Sequence, residues 1–442
     1  MAVTESEKYL ETLAKKSFLS MWSYANPAFG NPSSKKGGKE LCDLLVLFRN
    51  NVILFSDKRC RYPDGPDATL NWSRWYRRSI CKSIDQLLGA RKTLSQAAPD
   101  VFTDTSLRSR FPLPLPPAHE IQFFLVAVSH ETGPVCHREY GRDSLKIDTR
   151  LNRDDVEPLT VGCRFDGHFV HILDDSTLDI ILKNRDTIVD FIHYLEQKED
   201  ALTRNQFVIH GEENLLALYA SHRKSDGEHF IPTASGTELV VVDDGAWNAL
   251  IGSESYRESI EANGISYNID MLIEHFTKSY LTGQMIEGQQ HPLSHHEEAL
   301  RMMASESRFG RRTISTAFVS ILKEEVTTTF WASTAPSFAT TGLRYVFLTY
   351  PDPPAEIELE HFEGCLLEHL SQHLLVARHV FPESTTLIGF AVPNPDCRMT
   401  TTIIRILDGT NWTADDHAEA AALQKATGLF ANMVAEHFVH FE

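Results

Sequence analysis

The spacing of apolar positions predicts the first elements of the chain. Residues 5–20 show the apolar repeat of an amphipathic helix, and residues 73–88 show a second one. Between them lie two apolar runs, Leu44–Phe48 and Val52–Phe55, separated by Arg49-Asn50-Asn51. Because asparagine tolerates the positive φ angles of tight turns, this pattern predicts a β-hairpin.

The hairpin pattern also predicts which side chains share a face. A turn at Asn50-Asn51 would pair Asp43 with Lys58, and side chains alternate between the two faces of a strand. One face then carries Asp43, Ser56 and Lys58 at the same end, whereas Asp57 points to the other face. Both faces are apolar in the middle, so we expect the hairpin to be buried on both sides.

Further elements follow a proline-rich run, Phe111–Pro117, which can form neither a regular helix nor a central strand and is predicted to be a linker. The pattern beyond it alternates between strands and helices, which predicts an α/β fold. We expect three parts: residues 1–110, a middle α/β region 118–335, and a C-terminal α/β module 340–442. The predicted strands are 121–128, 169–173, 239–242, 345–348, 387–392 and 402–407, and the predicted helices are 178–195, 212–219, 266–280, 297–306, 356–380 and 413–434.

Charge is unevenly distributed along the chain. The net charge is −18, but residues 31–92 hold 13 Lys or Arg against 6 Asp or Glu, so this segment is about +7 and the remainder about −25. A basic segment in an acidic chain predicts a phosphate-contact surface, with a solvated helix face as the alternative. Arg74, Arg78 and Lys82, here called the basic stripe, share one side of the predicted helix and are the nucleic-acid-binding candidates. The acidic C-terminal region is a candidate surface for a protein partner.

Several protein classes are not indicated. No apolar stretch is long enough to predict a membrane span, and the N-terminus lacks the apolar core of a secretory signal. The seven cysteines are odd in number and irregularly spaced, which is typical of reduced thiols, so we expect a cytoplasmic protein. The chain has no GxxxxGK[ST], GxSxG or HExxH motif.

The polar end of the predicted hairpin has the composition of a phosphodiesterase site. Carboxylates bind Mg²⁺ through hard oxygen ligands, and a bound metal activates water and neutralises phosphate charge. Asp43 is one candidate ligand, and Glu40, three residues earlier, is close enough to be the second. Lys58 is the candidate that stabilises transition-state charge. The alternative is a charged pair at the end of an ordinary hairpin.

Glu40-x-x-Asp43, a hairpin and Ser56-x-Lys58 resemble the motif of the PD-(D/E)xK superfamily of restriction-endonuclease-like proteins and its nuclease-related-domain relatives. The resemblance covers residues 1 to about 105. It implies an N-terminal core made of a mixed sheet with flanking helices, followed by a larger α/β region. It also implies an acid that opens the second core strand and an (Asp/Glu)-x-Lys that closes the third.

The same resemblance implies two further site residues. The first helix of the family often adds an acid, for which Glu7 and Glu11 are candidates. The helix after the core often carries a glutamine, and Gln86 is the matching position.

One position departs from the family pattern, because Ser56 stands where the second acid is expected. Three consequences are open: Glu40 supplies the missing carboxylate, Asp57 reaches round through a bulge, or the site binds without cutting. Strand alternation favours Glu40 over Asp57.

The resemblance implies a nuclease dependent on Mg²⁺ or Mn²⁺ that acts on nucleic acid, with DNA favoured, in defence or repair. One alternative is a decayed nuclease fold that binds nucleic acid or a partner. The other is an acidic regulatory protein in which residues 118–442 sense a ligand or partner.

Three other groups each have a structural explanation beside a functional one. A histidine cluster suggests metal binding: His291, His295 and His296. An arginine cluster suggests phosphate contact: Arg308, Arg311 and Arg312. Two tryptophans, Trp72 and Trp75, suggest base stacking but more simply core packing.

Overall fold

The structure is a computed structural model and has the α/β fold predicted from the sequence, with mixed sheets flanked by helices. The chain divides into two compact units, Met1–Arg257 (unit 1) and Glu258–Glu442 (unit 2). The described residues are 5–31, 37–96, 100–225, 228–233, 239–281, 293–322, 330–355, 357–395, 397, 399 and 401–431, and the side chains of 293–296 lie outside the description.

Unit 1 holds the predicted hairpin and the elements around it. The helices are α1 (Glu5–Phe18), α2 (Ala68–Tyr76), α3 (Lys82–Leu94), α4 (Gly133–Tyr140), α5 (Asp175–Asn184), α6 (Ile188–Arg204), α7 (Glu212–Ser221), α8 (Ala246–Gly252) and α9 (Glu254–Asn263), within which the division between the units falls. The strands are β1 (Ser23–Ala25), β2 (Ala28–Phe29), β3 (Lys39–Glu40), β4 (Leu44–Phe48), β5 (Asn51–Lys58), β6 (Val101–Phe102), β7 (Gln122–Ser129), β8 (Lys146–Asp148), β9 (Thr160–Val161), β10 (Arg164–Phe165), β11 (His168–Phe169), β12 (His171–Asp174), β13 (Gln206–Ile209) and β14 (Leu239–Val242).

The central sheet of unit 1 has the order β1-β4-β5-β7-β12. Strands β1, β4 and β5 are antiparallel neighbours, whereas β5, β7 and β12 run parallel. The chain leaves β5 through α2 and α3 and returns as β7, the helical crossover that a parallel pair requires. The carboxyl ends of β5, β7 and β12 therefore meet at one edge, where Lys58 pairs with Ser129 and Ser129 with Asp174.

The hairpin forms with a different turn from the predicted one. Phe48 pairs with Asn51, so the turn residues are Arg49 and Asn50, and Arg49 takes the positive φ of 55°. The predicted pairing of Asp43 with Lys58 is wrong by two residues, because Leu44 pairs with Phe55 and the same register places Asp43 opposite Ser56. A shift of two residues preserves the faces of a strand, so the predicted grouping of side chains is unchanged.

The hairpin is buried on both sides, as its apolar pattern predicts. All of β4 and most of β5 are shielded from solvent. Phe55 packs against Phe18 of α1 and Phe191 of α6. Trp72 and Trp75 are also fully buried, with ring centroids 5.2 Å apart. The two tryptophans therefore pack in the core, where they are inaccessible to nucleic-acid bases.

The proline-rich run Phe111–Pro117 lies outside regular secondary structure, as predicted. It leads into β7, which pairs along its whole length with β5. The sheet therefore continues across the run, and unit 1 extends beyond the boundary predicted at residue 110, to Arg257. Three smaller sheets complete unit 1 in the described residues: β3-β2-β6, β10-β11 and β14-β13-β8-β9.

Unit 2 is built on a second mixed sheet of order β15-β16-β17-β18, in which β16 and β17 are parallel and connected by a long helix. Its elements after α9 are α10 (Tyr267–Leu281), α11 (Leu293–Ala304), α12 (Arg308–Leu322), β15 (Trp331–Pro336), β16 (Leu343–Tyr350), α13 (Leu359–Val380), β17 (Thr386–Pro393), β18 (Ile403–Asp408) and α14 (Ala414–Thr427). None of the helices in the described ranges of either unit is long and apolar enough to cross a membrane.

The arginine cluster of α12 has a structural role at two of its positions. Arg308 and Arg311 are buried and form ion pairs with Asp270. Their guanidinium groups are therefore engaged inside unit 2. Of the histidine cluster, His291 and the side chains of His295 and His296 lie outside the described residues.

Candidate active site

The predicted site residues lie on or beside four elements of unit 1. Glu40 ends β3, and Asp43 directly precedes β4. Lys58 ends β5, with Ser56 two residues before it. Gln86 is the second-turn residue of α3, whose buried face packs towards the sheet. Since α3 is the crossover between two parallel strands, the fold brings Gln86 back to the hairpin.

Gln86 connects the two predicted carboxylates. Its Nε2 donates to Glu40 Oε1 and to Asp43 Oδ1, each at 3.3 Å. Its Oε1 accepts a hydrogen bond of 2.8 Å from Ser56 Oγ. Four residues from three separate segments of the chain are thus linked through one amide group, which fixes how the two carboxylates are oriented.

Asp43 is held firmly at the centre of the site. Its Oδ2 accepts the backbone N–H of Asp57 at 2.6 Å and lies 3.4 Å from Lys58 Nζ. The Asp43 side chain is only 2% exposed, whereas that of Lys58 is 32% exposed. The lysine can therefore pair with Asp43 and still meet a ligand that arrives from solvent.

Negative charge is concentrated around Glu40. Burial, then the hydrogen bond and the charge of Asp43, raise the pKa of Glu40 to about 7, while Lys58 opposes the rise and Glu7 of α1 adds to it. Glu11, the other acid predicted on the first helix, pairs with Lys15 at 2.8 Å. Glu7 is therefore the helix acid whose charge acts on the site.

This donor set fits a divalent cation. Mg²⁺ commonly binds one or two carboxylates and keeps several waters, which phosphate oxygens can replace. Glu40 and Asp43 repel each other when both are ionised, and a cation between them would relieve that repulsion. No larger group of His, Cys, Asp or Glu is gathered for a metal within the described ranges, so water and substrate would complete the coordination.

The basic stripe runs along the helical segment from α2 to α3, and α3 also carries Gln86. Arg74, Arg78 and Lys82 are all exposed, and a π-helical turn at Arg77–Cys81 joins α2 to α3 between them. Arg78 also donates to the backbone carbonyl of Arg61 at 3.3 Å. Exposure suits phosphate contact and a solvated face equally, so the role of the stripe stays a prediction.

Sequence reasoning missed a histidine next to the site. His130 follows β7, and its Nε2 lies 2.5 Å from Asp57 Oδ1. Asp57 points away from Asp43 and Lys58, as strand alternation predicts, and its side chain meets His130. A signal was available, because a strand reached through a helical crossover runs parallel to the first and their carboxyl ends meet. Residues just after the predicted strand 121–128 were therefore candidates for the site.

Comparison of this chain with protein-family models, curated proteins and solved structures finds no match.

Proposed function

We propose that unit 1 is a nuclease that hydrolyses phosphodiester bonds of nucleic acid, with DNA favoured, in the presence of Mg²⁺ or Mn²⁺. The observation that carries the proposal is the convergence of Glu40, Asp43, Lys58 and Gln86 within hydrogen-bond or ion-pair distance at one end of the sheet. This convergence fits the assignments implied by the PD-(D/E)xK resemblance. Cleavage of foreign or damaged DNA is the cellular role that we infer by analogy with that family.

The strand order supports the proposal. After α1, the antiparallel strands β1, β4 and β5 follow one another in the sheet. Asp43 precedes the second of these strands and Lys58 ends the third. These are the positions that the resemblance implies for the acid and the lysine of the family motif.

Each residue has a distinct part in the proposed reaction. Glu40 and Asp43 would hold the metal, with Gln86 keeping both carboxylates in orientation. When bound, the metal supplies an activated water and neutralises phosphate charge. Lys58 places its ammonium group where charge develops on the phosphate. Ser56 supports Gln86 through its hydroxyl.

A second candidate function is nucleic-acid binding without cleavage. Ser56, at the position of the family's second acid, donates a hydrogen bond to Gln86 and offers no carboxylate. This observation favours a decayed site, in which the basic stripe would hold the phosphate backbone.

Incubation of the purified full chain with plasmid, single-stranded DNA and RNA, each with Mg²⁺, Mn²⁺ or EDTA, tests the proposal. We expect cleavage that requires metal and is absent from Asp43→Asn. Glu11→Gln is the matched control, because it also neutralises an acid of unit 1 but one that is paired with Lys15. Salt-dependent binding without cleavage would support the second candidate, and neither binding nor cleavage would favour the acidic regulatory protein.

A further inference from the structure

A cluster of opposite charges, partly buried, lies behind the candidate site. It consists of Asp57, His130 and Asp175, which stand at the carboxyl ends of the parallel strands β5, β7 and β12. This edge of an open α/β sheet is where side chains from successive strands converge on a ligand.

His130 bridges the two carboxylates. Its Nε2 lies 2.5 Å from Asp57 Oδ1, and its Nδ1 lies 3.7 Å from Asp175 Oδ2. The side chain of Asp57 is 1% exposed and that of His130 is 12% exposed. Burial alone would lower the pKa of His130, but the hydrogen bonds to Asp175 and Asp57 outweigh it and raise the pKa to about 9. The imidazole is therefore a cation at neutral pH, and it neutralises a carboxylate that water cannot reach.

His130 does not share a face with the proposed catalytic groups. Lys58 pairs with Ser129, so these two side chains lie on the same side of the sheet. Asp57 and His130, each one position away, lie on the other side. The imidazole and the side chains of Asp43 and Lys58 therefore lie on opposite faces of the sheet.

The backbone of Asp57 connects the two sides. Its N–H donates to Asp43 Oδ2 at 2.6 Å, a shorter contact than those that Gln86 and Lys58 make with the same carboxylate. Asp57 therefore contacts both residues: its side chain is held by His130, and its backbone amide holds Asp43. A change at the Asp57 side chain can therefore move the Asp57 backbone amide and, through it, the Asp43 carboxylate, the proposed metal ligand.

We propose that His130 is a positioning residue of the candidate metal site: it anchors Asp57 so that the Asp57 amide holds the Asp43 carboxylate in the orientation that binds a divalent cation. This inference rests on the proposed function, since it takes Asp43 to be a metal ligand. Partners of this indirect kind commonly change metal affinity by about 10- to 100-fold when they are removed.

The alternative is a purely structural role, in which His130 only joins three strand ends. A matched control separates the two. His193 of α6 is also a half-buried histidine of unit 1 and makes one short hydrogen bond, from Nδ1 to Tyr219 Oη at 2.7 Å, but it contacts no residue of the site. Replacing His193 perturbs packing without touching Asp57.

The experiment measures Mn²⁺ affinity by titration calorimetry on the full chain. We expect His130→Ala to weaken Mn²⁺ binding about tenfold. His130→Gln, whose amide can still donate to Asp57, should recover most of that loss. His193→Ala should bind Mn²⁺ like the wild type. Unchanged affinity in His130→Ala, or an equal loss in His193→Ala, would overturn the positioning role.

Hydrogen exchange supplies a readout that needs no metal. The peptide containing the Asp57 amide should exchange faster in His130→Ala than in the wild type, whereas peptides of β4 should be unchanged. If the alanine variant does not fold, Asp175→Asn, which removes the charge of the second carboxylate beside His130, carries the same comparison. Equal protection of the Asp57 amide in all folded variants would contradict the inference.

The Asp43→Asn variant distinguishes failure of the role proposed for His130 from failure of the proposed function. If Asp43→Asn binds Mn²⁺ as tightly as the wild type, the metal site itself is wrong and the inference falls with it. If Asp43→Asn loses binding while His130→Ala keeps it, only the role of His130 is wrong.

Discussion

Asp43 in unit 1 and Asp270 in unit 2 are both buried carboxylates, and their surroundings differ in charge balance. Asp270 forms ion pairs through both oxygens, with Arg308 and Arg311. The remaining Arg311 nitrogens donate to the backbone carbonyls of Ala304 and Glu306. Asp43 meets a partly exposed lysine at 3.4 Å, and Glu40 and Glu7 add negative charge nearby.

The difference separates charges that stabilise a fold from charges arranged for a ligand. The two arginines more than neutralise Asp270, so its cluster is explained by the stability of unit 2. Around Asp43 the acids outnumber the cation that the described residues provide, and the pKa of Glu40 rises to about 7 as a result of burial and of Asp43. Perturbed carboxyl groups of this kind favour a functional site.

The largest effect that we expect is the loss of cleavage in Asp43→Ala and in Lys58→Ala. Metal and charge stabilisation contribute several kcal/mol to such a reaction, so rates should fall about a thousandfold or more. Both variants should keep the circular dichroism spectrum of the wild type. Full activity in either one, beside an active wild type, would show that the site is assigned wrongly.

Asp270→Asn should have the opposite profile. Removing the carboxylate leaves two buried arginines without their ion pair, and breaking a buried pair costs roughly 3–5 kcal/mol. Urea denaturation should show this loss of stability, and the Mn²⁺ affinity of the folded protein should be unchanged. A stable Asp270→Asn variant would undermine the contrast between the two carboxylates.

The basic stripe tests whether exposed charge near the site contacts nucleic acid. Each phosphate contact contributes roughly 0.9 to the salt slope on duplex DNA, so removing Arg74, Arg78 and Lys82 together should lower the slope by up to about 2.7. Binding to duplex DNA is measured between low and moderate salt.

A charge-matched control for this triple variant removes Lys15, Lys183 and Arg204. These cations of unit 1 are paired at the surface with Glu11, Asp179 and Asp200. The control changes the net charge equally and should leave the slope almost unchanged. Equal slopes for the two triple variants would show that the basic stripe is only solvated.

The arrangement of side chains within the hairpin could be predicted from the sequence, but the contacts between distant segments could not. Strand periodicity placed Asp43, Ser56 and Lys58 on one face, and that grouping survived a strand pairing shifted by two residues, because faces repeat with a period of two. The shift arose because Arg49, and not an asparagine pair, adopts the positive φ.

Contacts between distant segments depend on pairing that periodicity does not encode. Strands β5 and β7 lie on either side of the proline-rich run that the sequence suggested as a boundary, and yet they pair. This pairing brings His130 to Asp57. Likewise, the arginines of α12 were equally compatible with a phosphate site until Asp270 was found beside them.

Stability should depend on pH through His130. Its pKa is near 6.5 in an unfolded chain, whereas in the fold the hydrogen bonds to Asp175 and Asp57 outweigh burial and raise it to about 9. Because the folded pKa is the higher one, this contribution to stability is complete below about pH 6.5 and is lost as the pH rises towards 9.

Denaturation midpoints at pH 6, 7.5 and 9 test this linkage, and His130→Gln should show a smaller decline across the range than the wild type. His193→Ala, in the same unit, should keep the wild-type decline. A wild-type midpoint that does not fall between neutral and alkaline pH would contradict a charged His130.

The smallest effect that we expect separates the acids around Asp43 from one another. Glu40→Gln keeps the shape of the side chain and removes its charge, so Mn²⁺ affinity and cleavage should weaken together, by about tenfold or more. Glu7→Gln should weaken Mn²⁺ binding less, because Glu7 acts on Glu40 through its charge, and Glu11→Gln should have no effect because Glu11 pairs with Lys15. A carboxylate introduced by Ser56→Glu would stand on the same face as Asp43 and Lys58, so it should restore binding to the Glu40→Gln variant. If Glu40→Gln binds Mn²⁺ normally, Glu40 is not a ligand, and the excess of negative charge around Asp43 has another cause.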